Sequence, residues 1–393
     1  MKKNLLIVLS FVLILGLIGC ESGKTATETQ TDPISQNTTD EVPSEATQDE
    51  QELENVSENI VVDALNREVV IPNEVNKIIA LGNVPRMATY LELAESVVGF
   101  SGMEPEKVTP LTAYAYVNRE VWQDVPIVGT DAMGNTDYYP ETIIELEPDV
   151  IICSYPLNVV EDLEMKTGLP VISVATGNIF SEDYNQALTI IAQVCGVEAR
   201  ASSIFEYLDQ SLEDLDSRTK DIPDDQKPSV ISAAATFKGA HGIEGVRIRD
   251  SVLAAINANN VAFSTLGNEQ TEAAVEVDRE QILLWNPEYI FCDYGGVELV
   301  KNDQQSDPDF YNQLQAYQAN TLIQHPSSTS YYANLEISLA NAYYLGSVLY
   351  PEQFSDIDIE TKIEEIFEFF LGKQTLLTDL EEIGAYYGPI VFE

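Results

Sequence analysis

Histidine is nearly absent from this chain, at two in 393 residues, and cysteine is scarce at four. Two imidazoles are few for metal-dependent hydrolysis, whose zinc centres take three protein ligands and keep an open position. Neither a GxSxG elbow nor a P-loop occurs, so two common catalytic signatures are missing. Positive charge is also short: 20 Lys plus Arg stand against 65 Asp plus Glu, a net charge of -45. Such a surface stays soluble and repels phosphates, which argues against nucleic acid as a partner.

What is present begins with "MKKNLLIVLSFVLILGLIGC". Two lysines, an apolar run from Leu5 and small residues leading into Cys20 follow the order of a secretory signal. "LIGC" at 17–20 resembles a bacterial lipobox, which implies a signal peptide over 1–20 and lipid on Cys20. Residues 21–58 are rich in Ser, Thr, Gln, Asp and Glu with no aromatic residue. They bury too little surface to offset ordering entropy, so they read as a disordered acidic tether.

The remaining residues, dense in Val, Ile and Leu, suffice for two domains. Cys153 and Cys292 lie in the apolar runs "DVIICSY" and "YIFCDY", where a free cysteine packs as a small hydrophobe. With Cys20 set aside the count is odd and fits no zinc spacing, so no disulfide framework is indicated.

Short apolar runs alternate with helical stretches. "KIIALG", "VVGF", "DVIICSY" and "PVISVA" read as strands, and "PRMATYLELAE", "PETIIELEP" and "NVVEDLEMKTG" as helices. A helix follows from an N-cap at Ser181 to a stop at Gly196. A longer one, with Ala201, Ile204, Phe205, Leu208, Leu212 and Leu215 on one face, ends before "DIPDDQKP". The second half repeats the rhythm: "SVISAAA", "VAF", "YIFCDYGG" and "TLIQHP" read as strands, "DSVLAAINANN" as a helix capped by Asp250 or Ser251. The expected fold is α/β, two lobes with central parallel sheets joined by a long rigid helix. The boundaries fall at 59–180 for the first lobe, 181–222 for the connecting helices and 223–393 for the second lobe with its closing helices.

"VVDALNREVVIPNEVNKIIALG", then "LELAESVVGF", "PETIIELEPDVIICSY" and "QILLWNPEYIFCDYGG" together resemble the class III substrate-binding proteins of ABC importers, the receptors for ferric siderophores, haem and cobalamin. "KGAHGIE" with a later "YY" is similar to the iron-compound subgroup. The resemblance implies a monomeric, non-enzymatic receptor, lipid-anchored on the outer face of the cell membrane, with no cofactor of its own. It would close its lobes around a small-molecule metal complex and pass it to an ABC permease and its ATPase. Cobalamin or an oxyanion such as molybdate is the nearest alternative ligand; an exported enzyme, a sensor or an adhesin are the alternatives of other classes.

In open parallel sheets, ligands bind beyond the carboxyl ends of strands. That rule selects Arg86 in "GNVPR", Tyr155 in "SYPLN", and Tyr114 and Tyr116 in "TPLTAYAYVNRE". In the second half it selects the loop "FKGAHGIEGVRIRD" at 237–250, with Lys238, His241 and Arg247, followed by Tyr294, Tyr331 and Tyr332. Arg247 ranks above Arg249 because alternate residues of an extended segment face opposite ways. Arg and Lys would meet the charge of an anionic ferric complex, and Tyr would stack on it and donate a hydroxyl. Each also has a structural reading: a surface ion pair for Arg247, a loop hydrogen bond for His241, solvation for Lys238, and a cap or salt bridge for Arg86. Members of the family dock to the permease through one acid on each lobe, and Glu161 and Glu298 occupy matching positions.

Overall fold

Runs such as "KIIALG" and "DVIICSY" carry apolar residues at consecutive positions because both faces of each strand are covered. Ile78 and Ala80 enter one hydrophobic core while Ile79 and Leu81 enter another. Val150 and Ile152 part from Ile151 and Cys153 in the same way. Each such Ile or Val withdrawn from water stabilises the fold by about 1.5–3 kcal/mol. The computed structural model describes residues 59–130, 136–237, 239–270, 272–330 and 332–392. Cys20, the 1–20 signal and the 21–58 tether lie outside the described residues.

A hairpin of β1 (Asn59–Val62) and β2 (Glu68–Ile71) comes first. The first sheet then takes β3 (Ile78–Ala80), β4 (Val97–Ser101), β5 (Ile127–Thr130), β6 (Asp137–Tyr138), β7 (Val150–Cys153) and β8 (Val171–Ser173), in the order β6-β5-β4-β3-β7-β8. Only the β5–β6 pair is antiparallel. Helices α1 (Val84–Tyr90), α2 (Ala113–Val117), α3 (Pro140–Glu145) and α4 (Leu157–Thr167) connect these strands.

Two helices follow. α5 (Glu182–Cys195) stops at Gly196, whose φ of 69° is the left-handed conformation that glycine adopts without strain. Ser181 sits at its N-cap, but the hydroxyl donates to the Asn178 carbonyl and caps no amide. α6 (Glu198–Thr219) is the expected long helix, with Ala201, Ile204, Leu208 and Leu215 buried and Phe205 and Leu212 packed beside them.

The second sheet holds β9 (Ser229–Ala233), β10 (Gly245–Arg247), β11 (Asn259–Asn260), β12 (Ala274–Glu276), β13 (Tyr289–Asp293), β14 (Leu322–His325) and, after a small hairpin of β15 (Thr329–Ser330) and β16 (Tyr332–Ala333), β17 (Gly388–Pro389). Its order is β12-β10-β9-β13-β14-β17, with β11 beside β9. β11, β9, β13 and β14 are mutually parallel at its centre. Helices α7 (Ser251–Ala255), α8 (Val261–Leu266), α9 (Arg279–Trp285), α10 (Tyr294–Ser306), α11 (Pro308–Tyr311) and α12 (Gln315–Gln318) join the strands, and α13 (Leu335–Leu349), α14 (Ile359–Leu371) and α15 (Leu376–Glu382) close the chain.

Two expectations change. "VAF" is the start of α8, because the Asn260 side chain accepts from the Ala262 and Phe263 amides and caps a helix there. The stretch 237–250 is not one loop: Gly245–Arg247 returns as β10, antiparallel to β9 and β12. Val246 and Ile248 are buried by that return.

The largest core runs from the first sheet through α1, α5, α6, α13 and α14 to Val230, Phe291 and Ile323 of the second. Ile231, Ile290, Cys292 and Leu322 line a separate core on that sheet's other face.

Candidate ligand-binding site

Polar side chains gather at the carboxyl ends of the strands, where sheet pairing stops and backbone amides need other partners. In the first sheet the Gly82 amide donates to Ser101 Oγ at 2.7 Å and the Asn83 amide to Ser154 Oγ at 2.9 Å. A Cβ at Gly82 would come within 2.1 Å of Ser154 Oγ, at a φ of +67°, so glycine is what lets these loops close. Arg86, in α1, is 1% exposed. Its Nε donates to Asn334 Oδ1 at 2.9 Å, Nη1 to Asn83 Oδ1 at 2.6 Å and Nη2 to the Ser330 carbonyl at 2.7 Å. Its guanidinium lies 4.6 Å from the centre of the Tyr114 ring. These four contacts are all with neutral groups.

The second sheet has a hub of opposite sign. Asp293 ends β13, caps α10 and is fully buried. Its Oδ1 accepts from the Gly295 amide at 3.0 Å and from the Ser327 hydroxyl. Its Oδ2 accepts from Thr236 Oγ1 and from Arg247 Nη2, both at 3.3 Å. Arg247 Nη2 also donates to Thr329 Oγ1 at 3.3 Å. One carboxylate thereby ties together the loops after β9, β13 and β14 and holds Arg247, whose side chain remains 20% exposed.

The remaining candidates fall at different depths. His241 stacks on Phe237 with ring centres 4.0 Å apart, and its Nε2 lies 2.8 Å from the Phe237 carbonyl, which places the proton on that nitrogen. Helix α10 packs under this loop at Gly296, where a Cβ would come 2.2 Å from the His241 carbonyl oxygen. Tyr294 is the first residue of α10 and donates to the Ile383 carbonyl. Tyr116 is half-buried with Arg119 4.4 Å over its ring, Tyr332 is half-buried in β16, and Tyr155 is buried in the core on the far face of the first sheet. Arg249 faces away from Arg247, donating to the Gly267 carbonyl at 2.6 Å beside Phe263. Lys238 and Tyr331 lie outside the described residues. Arg86, Tyr114 and Arg247 are therefore brought to one place, the Thr329–Ser330 turn, along with Thr112, whose Oγ1 is 2.9 Å from Ser330 Oγ.

Sequence reasoning missed Asp293, Ser327, Thr236, Thr329, Ser330 and Asn334. Asp293 alone carried a local signal, an acid closing the apolar run "YIFCD". Among the described residues no group of three or more His, Cys, Asp or Glu is placed to hold a metal ion. The Cys292 thiol is pushed up to about 12 by burial, with the Asp293 charge adding to it, so it is inert as a ligand or nucleophile.

Glu161 and Glu298 are exposed, and each is the fifth residue of the helix that follows a central strand, α4 after β7 and α10 after β13.

Two parallel-centred sheets, with strand-end loops of both converging on one turn, define a class III periplasmic binding protein. The model of the periplasmic binding protein family matches residues 90–329, and the chain belongs to that family, the substrate-binding proteins of ABC transporters. It is 25% identical over 234 residues to the uncharacterised ABC transporter substrate-binding lipoprotein YvrC of Bacillus subtilis, covering 58% of this chain and 67% of that one. It is 20% identical over 341 residues to the molybdate-binding protein MolA of Haemophilus influenzae, covering 80% and 91%. Among solved structures, a periplasmic solute binding protein from Veillonella parvula superposes with a TM-score of 0.64 at 16% identity, covering 83% of this chain and 98% of that one. CeuE of Helicobacter pylori, solved with Ni(II) bound, superposes with a TM-score of 0.58 at 17% identity, covering 83% and 99%. YvrC, MolA and the Veillonella parvula protein are each named as binding proteins.

Proposed function

We propose that this chain is the receptor of an ABC importer, held outside the cell membrane by lipid on Cys20, and that it captures an iron complex of the siderophore or haem-like kind. The observation that supports the site is the convergence of Arg86 and Arg247 on the Thr329–Ser330 turn. Arg86 is a buried cation whose described hydrogen-bond acceptors are all neutral, and a buried charge is costly until it meets an opposite one. An anionic group entering at the turn would supply that charge. Arg247, His241, Tyr114, Tyr116, Tyr294 and Tyr332, with Lys238 and Tyr331, are the residues proposed to meet it, two or three charge-assisted bonds at about 1.5–3 kcal/mol each giving micromolar or tighter affinity; Tyr155, packed in the core on the far face of the first sheet, is not among them. No cofactor of the protein's own is proposed.

A second reading takes the ligand to be an oxyanion, and the resemblance to MolA over most of both chains favours it. Titration of the intrinsic fluorescence of the 19 Tyr and 2 Trp with ferric siderophores, haem, cobalamin and molybdate separates the two. Saturation by a ferric complex or haem but not by molybdate is the expected result. Saturation by molybdate or cobalamin alone would overturn the iron reading.

A further inference from the structure

Glu336, in the first turn of α13, is a fully buried carboxyl that the proposed site does not use. Its Oε2 accepts from the Tyr90 hydroxyl, and its Oε1 has no hydrogen-bond partner. The Tyr90 oxygen itself accepts from the Leu335 amide at 3.1 Å, which leaves the hydroxyl proton for Glu336. One residue earlier, Asn334 takes the Arg86 Nε proton. The start of α13 is thus fastened to α1 at two points, Asn334 to Arg86 and Glu336 to Tyr90.

The ionisable groups facing this carboxyl are Arg86 and Tyr90 on α1, Tyr184 on α5 and Tyr387 in the C-terminal segment. The Tyr184 hydroxyl is likewise buried without a partner. Arg86 is the one cation among them, and it makes no hydrogen bond to the carboxyl; its described donors go to Asn83, Asn334 and Ser330. An ionised carboxylate needs donors at both oxygens, and here Oε1 has none. Leaving a buried neutral oxygen unmatched costs about 1–3 kcal/mol, and leaving a buried charge unmatched costs more. Burial therefore prevails over the Tyr90 hydrogen bond, the Arg86 attraction and the carboxyl's own backbone amide, and pushes the Glu336 carboxyl above the usual carboxylate range.

We propose that Glu336 keeps its proton in the folded protein and clasps α13 to α1 as a neutral acceptor for Tyr90, and that the clasp opens when the proton is lost because the ionised carboxylate must reach the water that burial denies it. The clasp lies three residues beyond β16 and shares Arg86 with the Ser330 turn, so its loosening would free the turn on which the two arginines converge. It does not depend on which ligand the protein carries.

The test needs no ligand. Infrared spectroscopy of the full chain at neutral pH should show a neutral-carboxyl carbonyl band that disappears in Glu336→Gln. Exchange of the Leu335 amide, corrected for its intrinsic pH dependence, should quicken in the wild type by up to about tenfold per pH unit through the titration and stay constant in Glu336→Gln. A band unchanged by the substitution, or identical exchange profiles, would overturn the proposal. Should Glu336→Gln fail to fold, Tyr90→Phe carries the test: loss of the hydroxyl should shift the band, and a band that stays in place refutes the clasp.

Discussion

Arg86 and Arg247 hold adjacent residues of one turn: Arg86 donates to the Ser330 carbonyl at 2.7 Å and Arg247 to the Thr329 hydroxyl at 3.3 Å. They come from different sheets' surroundings and differ in compensation. Arg247 pairs with Asp293, whereas the described acceptors of Arg86 are neutral. The turn is therefore where electrostatics from both halves of the fold meets.

Arg247→Ala should weaken binding of an anionic complex about tenfold or more, the loss of one charge-assisted hydrogen bond. Asp293→Asn should keep the neighbouring loops in place but release Arg247, moving affinity without abolishing it. Fluorescence titration of both variants checks this, and equal affinity for Arg247→Ala removes that residue from the site.

Glu161→Lys combined with Glu298→Lys should abolish ligand uptake by cells while leaving the affinity of the purified protein unchanged. Both side chains are exposed at the fifth position of their helices, so reversal should disturb docking and not folding. Unchanged uptake would remove the pair from the permease interface.

Gly296→Ala should destabilise the fold by about 1–3 kcal/mol, since the new methyl meets backbone on both sides. The His241 carbonyl lies 2.2 Å and the Ala234 carbonyl 2.5 Å from the position that Cβ would take. Denaturant unfolding measures the loss. A variant as stable as the wild type would mean that the 234–244 loop yields freely.

Glu336 gives a pH dependence whose sign follows from its burial. The folded protein binds this proton more tightly than the unfolded chain, so stability is intact below the ordinary carboxylate value. It falls as pH rises from there through the raised folded value and levels off above it. Melting curves of wild type and Glu336→Gln should diverge toward alkaline pH, the wild type losing more. Parallel curves would place the carboxyl's titration in its ordinary range.

Much of the fold was legible because its signals are local. "KIIALG", "VVGF", "DVIICSY" and "PVISVA" are short apolar runs of strand length, and Gly196 and Asp250 mark helix ends; Asp250 Oδ1 accepts from the Val252 and Leu253 amides as its position implies. The alternation that turns Arg247 inward and Arg249 outward was legible too. "VAF" was ambiguous at three residues, and the Asn260 cap decided it. β10 was illegible because its register is set by pairing with β9 and β12. The surroundings of Arg86 were illegible for the same reason: Asn334 lies 248 residues away in the chain.

The core that passes from the first sheet through α1, α5, α6, α13 and α14 to the second has a thermodynamic consequence. With no apolar-free plane between the sheets, neither can unfold alone without exposing the interior of the other. Calorimetry should therefore show the folded part melting in one cooperative transition, and two resolved peaks would contradict it. A ligand held at the Thr329–Ser330 turn would then raise the whole transition by mass action, which makes the melting temperature a reporter of occupancy for any compound screened.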